Sequence, residues 1–176
     1  MNILVISGSP RKNGNTEIMA NVFSEAAEKN GNTVSRVNLS GTKVGFCTDC
    51  EYCLTHQGVC VKKDGMDEIY EKMEKAELLV FASPIYYFGM SAQMAAVFDR
   101  LYAHLNIGYH PTGCMLLLDS GDPHVYAGAI AQYKGTADFI GWKDQGIVTV
   151  AGMKEKGDMK NSPDLEKVRE LARSIH

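Results

Sequence analysis

Four of the five cysteines, Cys47, Cys50, Cys53 and Cys60, fall within one short stretch of the chain. Thiolates are soft ligands and are themselves redox-active, so such a gathering has chemistry to offer. Three thiolates at steps of three can wrap one cubane, and a fourth arriving after a short loop completes four-thiolate ligation of a [4Fe–4S] cluster. Zinc sites more often pair two Cys-x2-Cys arms across a longer stretch, so the second step of three favours iron–sulfur over zinc. Free thiols or an oxidised pair are the third option for the same spacing. An odd total, with no charged and apolar leader at the start, argues against a secreted disulfide scaffold. Cys114 sits alone in an apolar run with Met115, Leu116, Leu117 and Leu118 and reads as a small core residue.

A second group with chemical potential is Gly8-Ser9-Pro10-Arg11-Lys12-Asn13-Gly14-Asn15-Thr16, which joins an apolar run to a helical one. Free N–H groups at a helix start, with the Ser9 and Thr16 hydroxyls, the Asn15 amide and the charge of Arg11, suit a phosphate dianion. The loop lacks the Lys-Ser/Thr pair of a nucleotide-triphosphate loop and the G-x-G-x-x-G spacing of a dinucleotide site. A terminal phosphate, as on a mononucleotide, fits better than a pyrophosphate. An ordinary strand–helix turn would use many of the same residues.

The third group is Ser83-Pro84-Ile85-Tyr86-Tyr87-Phe88-Gly89-Met90. Three adjacent aromatics in a connecting segment need a reason to stay near the surface. A planar cofactor supplies one: Pro84 and Gly89 shape the backbone toward its polar edge, and Tyr86 or Phe88 packs on its face. A core plug or a subunit contact is the plainer alternative. Other candidates are weaker. His104, His110 and His124 lack metal-like spacing, His56 reads as a loop residue, and Lys154-Glu155-Lys156 reads as a solvated loop. No nucleophile elbow or Ser-His-Asp arrangement supports hydrolysis, and no acid–base residue stands out as catalytic.

These groups must be held by a frame, and the hydrophobic periodicity predicts one. Short apolar runs at 2–7, 33–39, 78–82, 114–118 and 146–151 read as strands. Between and after them, helical patterns cover 16–30, 66–76, 91–105 and 125–141, and a last helix is expected to be capped by Ser162 with Pro163 in its first turn. Five alternating pairs predict an α/β fold, a doubly wound five-stranded parallel sheet of order 2-1-3-4-5. Ligands of such sheets bind beyond the carboxyl ends of the strands, which is where the 8–15, 83–90 and 120–124 segments would meet. The connection at 40–65 that carries the cysteines far exceeds the roughly two to six residues usual there. We expect one domain over 1–176, with 40–65 as a cysteine-rich insertion after strand two.

Composition narrows the classes further. Apolar residues make up 45% and charged ones 22%, values of an ordinary globular domain that exclude disordered and fibrous chains. A formal charge of −3 offers no basic footprint for nucleic acid or for a membrane surface. No apolar run approaches membrane-spanning length. The expectation is a cytoplasmic protein.

Taken together, the 8–16 loop, Ser83-Pro84-Ile85-Tyr86-Tyr87-Phe88, Phe98-Asp99-Arg100, Gly141-Trp142 and Lys156-Gly157-Asp158 resemble the NADPH-dependent FMN reductase family with a flavodoxin-like fold. The resemblance implies FMN, with Ser9, Arg11, Asn15 and Thr16 at the phosphate and Pro84, Ile85, Tyr86, Tyr87 and Phe88 at the isoalloxazine. It further implies that the turn Asp119-Ser120-Gly121 closes the pyrimidine side. The cysteine pattern resembles the iron–sulfur flavoprotein branch, with Cys47, Cys50, Cys53 and Cys60 as ligands. The chain departs from that branch in lacking a second Asp after Asp64 and in having Ala95-Ala96 where a Lys is common. The implied activity is electron transfer from NAD(P)H through FMN to a quinone, flavin or similar small acceptor. The alternative is a carrier whose [4Fe–4S] cluster passes electrons from a ferredoxin-like donor to FMN. Homo-oligomers are expected, because resembling proteins commonly complete the flavin pocket across a subunit interface.

Overall fold

A computed structural model describes residues 1–175. Among the described residues there are six strands and six α-helices. The strands are β1 (Asn2–Ser7), β2 (Thr33–Asn38), β3 (Leu78–Tyr86), β4 (Gly89–Met90), β5 (Gly113–Asp119) and β6 (Lys143–Val150). The helices are α1 (Asn15–Lys29), α2 (Tyr52–Thr55), α3 (Met66–Met73), α4 (Ala92–Leu101), α5 (Ala127–Ile140) and α6 (Leu165–Arg173). The long strands run parallel in the order β2-β1-β3-β5-β6, and β4 pairs with β3 alone, antiparallel.

The strand side chains sort by parity onto two apolar layers. Ile3, Val5, Leu78, Val80, Met115 and Leu117 meet Met19, Phe23 and Ala27 of α1 and Leu165, Val168 and Ala172 of α6. Leu4, Ile6, Leu79, Phe81, Leu116 and Leu118 face the other way, toward Ile69 and Met73 of α3, Val97 and Phe98 of α4, and Ala129 and Tyr133 of α5. Cys114 lies in this second layer, fully buried, and burial pushes its thiol up to about 11. It is a core residue.

Three expectations need correction. The sheet has six strands, because the 83–90 segment is not a loop. β3 runs on to Tyr86, with Ser83 beside Leu118 and Pro84 beside Asp119, and turns through Tyr87 and Phe88 into β4. Both turn residues have positive φ, 48° and 66°, as a tight two-residue hairpin requires. The last helix begins at Leu165, and no side chain caps it. Ser162 Oγ instead accepts the Asp164 N–H at 3.3 Å, one turn short of the helix. Strand β6 begins at Lys143 rather than at 146, where an exposed start and a register irregularity opposite Cys114–Leu116 hide its apolar pattern. No helix of the described residues is long and apolar enough to cross a membrane.

Candidate functional site

The carboxyl ends of β1, β3 and β5 open onto a cleft of about 190 Å³ lined by Ser9, Arg11, Asn15, Thr16, Pro84, Ile85, Tyr86, Asp119, Ser120, Gly121, Met153 and Lys154. Nine of the eleven residues expected to bind a cofactor there are among them. The two that are not, Tyr87 and Phe88, stand out from the hairpin tip into solvent.

The floor of the cleft is built by close backbone approach. Gly8 donates to Ala82 O at 2.7 Å, and Ser91, which caps α4 by accepting from Met94, donates to Gly8 O at 2.6 Å. A Cβ on Gly8 would lie 2.9 Å from Met94 Cβ and 3.1 Å from Ser91 Oγ, so only glycine fits between β1 and α4. The 8–16 loop then enters α1 at Gly14, which has no side chain to cap the helix. The first-turn N–H groups of α1 are thus left for a ligand, the arrangement that suits a phosphate.

The side chains expected at that phosphate have duties of their own. Ser9 Oγ accepts the Arg11 N–H at 3.2 Å and shapes the turn. Asn15 is fully engaged: its Oδ1 accepts from Gly157 and Met159, and its Nδ2 donates to Glu155 O. It pins the loop after β6 over the cleft, which brings Met153 and Lys154 to the rim. Lys154 is therefore a wall of the site and not merely a solvated residue. Thr16 donates to Asp119 Oδ1 at 2.5 Å. Ser120 Oγ donates to Asp122 O and lies 2.9 Å from Tyr126 Oη, so the 119–122 turn is rigid as well.

Asp119 belongs to the Asp119-Ser120-Gly121 turn expected at the rim, but nothing in its sequence context marks its carboxyl as buried. It is 4% exposed, and burial raises its carboxyl to about 6, with the Thr16 hydrogen bond offsetting part of the rise.

The four cysteines of the 40–65 connection line a second, small pocket of about 20 Å³, together with Asp99, Arg100 and Tyr102. All four are free thiols: Cys53 is buried, Cys47 and Cys60 half-buried, and Cys50 exposed. Burial, together with the neighbouring Cys60, Cys47 and Cys50, holds the Cys53 thiol above its ordinary value against an opposing backbone hydrogen bond. The backbone between them is strained, with Asp49 and Glu51 left-handed at φ 50° and 56°. These kinks turn Cys47, Cys50 and Cys53 toward the same pocket, and Cys47 Sγ accepts the Asp49 N–H at 3.4 Å. Among the described residues, no three His, Cys, Asp or Glu side chains are gathered closely enough to hold a single metal ion. A cubane would bind each thiolate through a different iron, which calls for four thiols around one pocket; all four line this one.

The neck of the insertion is closed by Asp64. Its carboxylate accepts from Gly45 N and Met66 N, each at 2.9 Å, and pairs with Arg100 Nη1 at 3.0 Å. Burial pushes the Asp64 carboxyl up, but the Met66 and Gly45 amides and the Arg100 guanidinium outweigh it and leave it below its ordinary value. Gly65 seals the same neck, since a Cβ there would meet Thr42 Cγ2 at 2.3 Å.

Residues 1–117 match the sequence profile of the family described as NADPH-dependent FMN reductase. The chain belongs to that family. Among family-level relatives it is 38% identical over 112 residues to an iron–sulfur flavoprotein of Archaeoglobus fulgidus, covering 64% of this chain and 49% of the relative. It is 42% identical over 100 residues to an iron–sulfur flavoprotein of Methanosarcina thermophila, covering 57% and 52%. The chain thus spans about half the length of these relatives. Among solved structures, an NAD(P)H:quinone oxidoreductase from Methanothermobacter marburgensis superposes with a TM-score of 0.74 over 99% of this chain and 96% of that one, at 15% identity. That likeness concerns the fold.

Proposed function

We propose that this member of the NADPH-dependent FMN reductase family is an FMN-dependent oxidoreductase that moves electrons from NAD(P)H to a small acceptor such as a quinone or free flavin. The observation that carries this reading is the convergence of Ser9, Arg11, Asn15, Thr16, Pro84, Ile85, Tyr86, Ser120 and Gly121 on one cleft at the strand ends. FMN, when bound, supplies the hydride- and electron-accepting chemistry.

The chain's own residues do the rest. The uncapped start of α1 and the Arg11 guanidinium hold the phosphate. Asn15 fixes the 155–159 segment so that Met153 and Lys154 wall the cleft from water. Pro84, Ile85 and Tyr86 offer an apolar edge of strand to the ring, and the turn at Ser120 and Gly121 bounds its far side. Asp119 keeps a proton below about pH 6 and otherwise brings a buried negative charge next to Thr16.

A second reading has its own observation. The four cysteines share one pocket and are turned toward it by left-handed kinks, which supports a [4Fe–4S] cluster on Cys47, Cys50, Cys53 and Cys60. The names of the relatives from Archaeoglobus and Methanosarcina point the same way. The protein would then accept single electrons from a ferredoxin-like donor and hand them to FMN. Anaerobic reduction of FMN-loaded protein separates the two. Bleaching of the flavin absorbance by NAD(P)H alone supports the reductase. Bleaching by reduced ferredoxin but not by NAD(P)H, abolished in Cys53→Ala, supports the carrier. Bleaching by neither overturns both.

A further inference from the structure

Arg100, in the last turn of α4, is 2% exposed and heads the fully buried side chains by size. One of its nitrogens is fully accounted for: Nη1 donates to Gly45 O and to Asp64 Oδ2, both at 3.0 Å. Its Nε and Nη2 are buried and have no partner among the described residues. A guanidinium carries five N–H donors and does not give up its proton, so a buried one with unmet donors calls for an acceptor. Tyr70 Oη, which donates to the Arg100 carbonyl, lies near the guanidinium but makes no hydrogen bond to Nε or Nη2. Arg100 forms a wall of the pocket that Cys47, Cys50, Cys53 and Cys60 share. The carboxylates of Asp49, Glu51 and Asp99 also line the pocket but do not bond Nε or Nη2, and the four cysteine sulfurs are the other acceptors there.

We propose that Arg100 donates N–H···S hydrogen bonds from Nε and Nη2 to a cluster held by these cysteines, and that its buried charge sets the cluster's reduction potential. This rests on the cluster reading above. Reduction adds one negative charge to the cluster. A buried cation and N–H donors aimed at its sulfurs stabilise the reduced form more than the oxidised one, so Arg100 raises the potential. Asp64 has a double part. It fixes the guanidinium through Nη1, and its own charge moderates the effect. Arg100 is a tuning and positioning residue; it is not itself a ligand.

The experiment begins with anaerobically reconstituted wild-type protein, in which iron and acid-labile sulfide are counted per chain. Absence of both overturns the cluster reading itself, and with it this proposal. With the cluster present, dithionite supplies one electron per cluster in a titration followed by electron paramagnetic resonance. Arg100→Gln is expected to shift the reduction equilibrium at least tenfold toward the oxidised cluster, about 59 mV for one electron. Arg100→Lys, which keeps the charge and the contact with Asp64 but lacks the planar fork, is expected to shift it the same way by less. Unchanged potentials in both variants at full cluster content would overturn the proposal. Should either variant lose its cluster, wild-type protein grown on guanidino-[15N]arginine decides the matter. Its reduced cluster is expected to show a 15N hyperfine coupling, and the lack of one would overturn the assignment of the hydrogen bonds.

Discussion

Asp119 is the residue on which the chemistry of the cleft turns most sharply. Its ordinary value is 3.8 and its buried value about 6, so the folded state binds more protons than the unfolded state between these limits. The stability it contributes is complete below pH 4 and is lost as pH rises through 6, a difference of about 3 kcal/mol. Asp119→Asn keeps an acceptor for the Thr16 hydroxyl and removes the charge. It should flatten the pH dependence of urea unfolding between pH 4 and 7 and stabilise the protein at pH 7 by roughly 1–3 kcal/mol. A phosphate dianion beside Thr16 opposes ionisation further, so FMN affinity should weaken about tenfold or more from pH 6 to 8 in the wild type and stay level in Asp119→Asn. Fluorescence titrations at several pH values check this; parallel curves for the two proteins would remove Asp119 from the phosphate's surroundings. Asn15→Ala, which frees the 155–159 loop, should weaken FMN about tenfold in the same assay while leaving the fold intact. Neither role was legible in the sequence. Thr16 and Asp119 meet across 103 residues and Asn15 and Gly157 across 142, and no local pattern encodes such pairings.

At the scale of elements, the 40–65 connection packs Cys53, Leu54 and Cys60 on the core and is tied at its ends by Asp64. Asp64→Ala removes the acceptor of two backbone amides and leaves the Arg100 guanidinium buried without its counter-charge. We expect a loss of about 3 kcal/mol, with new protease cleavage confined to residues 40–65. Native-like resistance would show that the neck is held elsewhere. The pH trend has the opposite sign to that of Asp119. Because the Asp64 carboxyl is held below its ordinary value, its contribution is present above about pH 4 and fades as pH falls through the folded value. Helices with a strong apolar stripe were legible: Met66, Ile69, Tyr70 and Met73 of α3 are all buried, as their spacing requires. The two-residue strand β4 was not, since Gly89 and Met90 carry no period. Arg100 stands in the Phe98-Asp99-Arg100 motif, but its burial was not legible, because an arginine in the last turn of a helix ordinarily faces solvent.

For the whole molecule, the parity of residues along β1, β3 and β5 sends alternate apolar side chains to two helical layers, and this is what the sequence periodicity announced. The same construction places the loops after β1 and β5 and the β3–β4 hairpin on one rim, where the cleft forms. That rim ends in exposed aromatics: Tyr87 is fully exposed and Phe88 is 63% exposed, on a turn whose backbone conformation disfavours both. We propose that a second copy of the chain covers these tips. Tyr87→Ser with Phe88→Ser should shift sedimentation from oligomer to monomer and weaken FMN binding, whereas an unchanged sedimentation coefficient would separate the hairpin from self-association. The central claim is tested most directly by titrating FMN into anaerobically purified protein, with flavin and iron counted per chain. The account predicts one FMN per chain, with affinity reduced in Asn15→Ala and restored below pH 6 in the wild type. Failure to take up FMN under any of these conditions would contradict it.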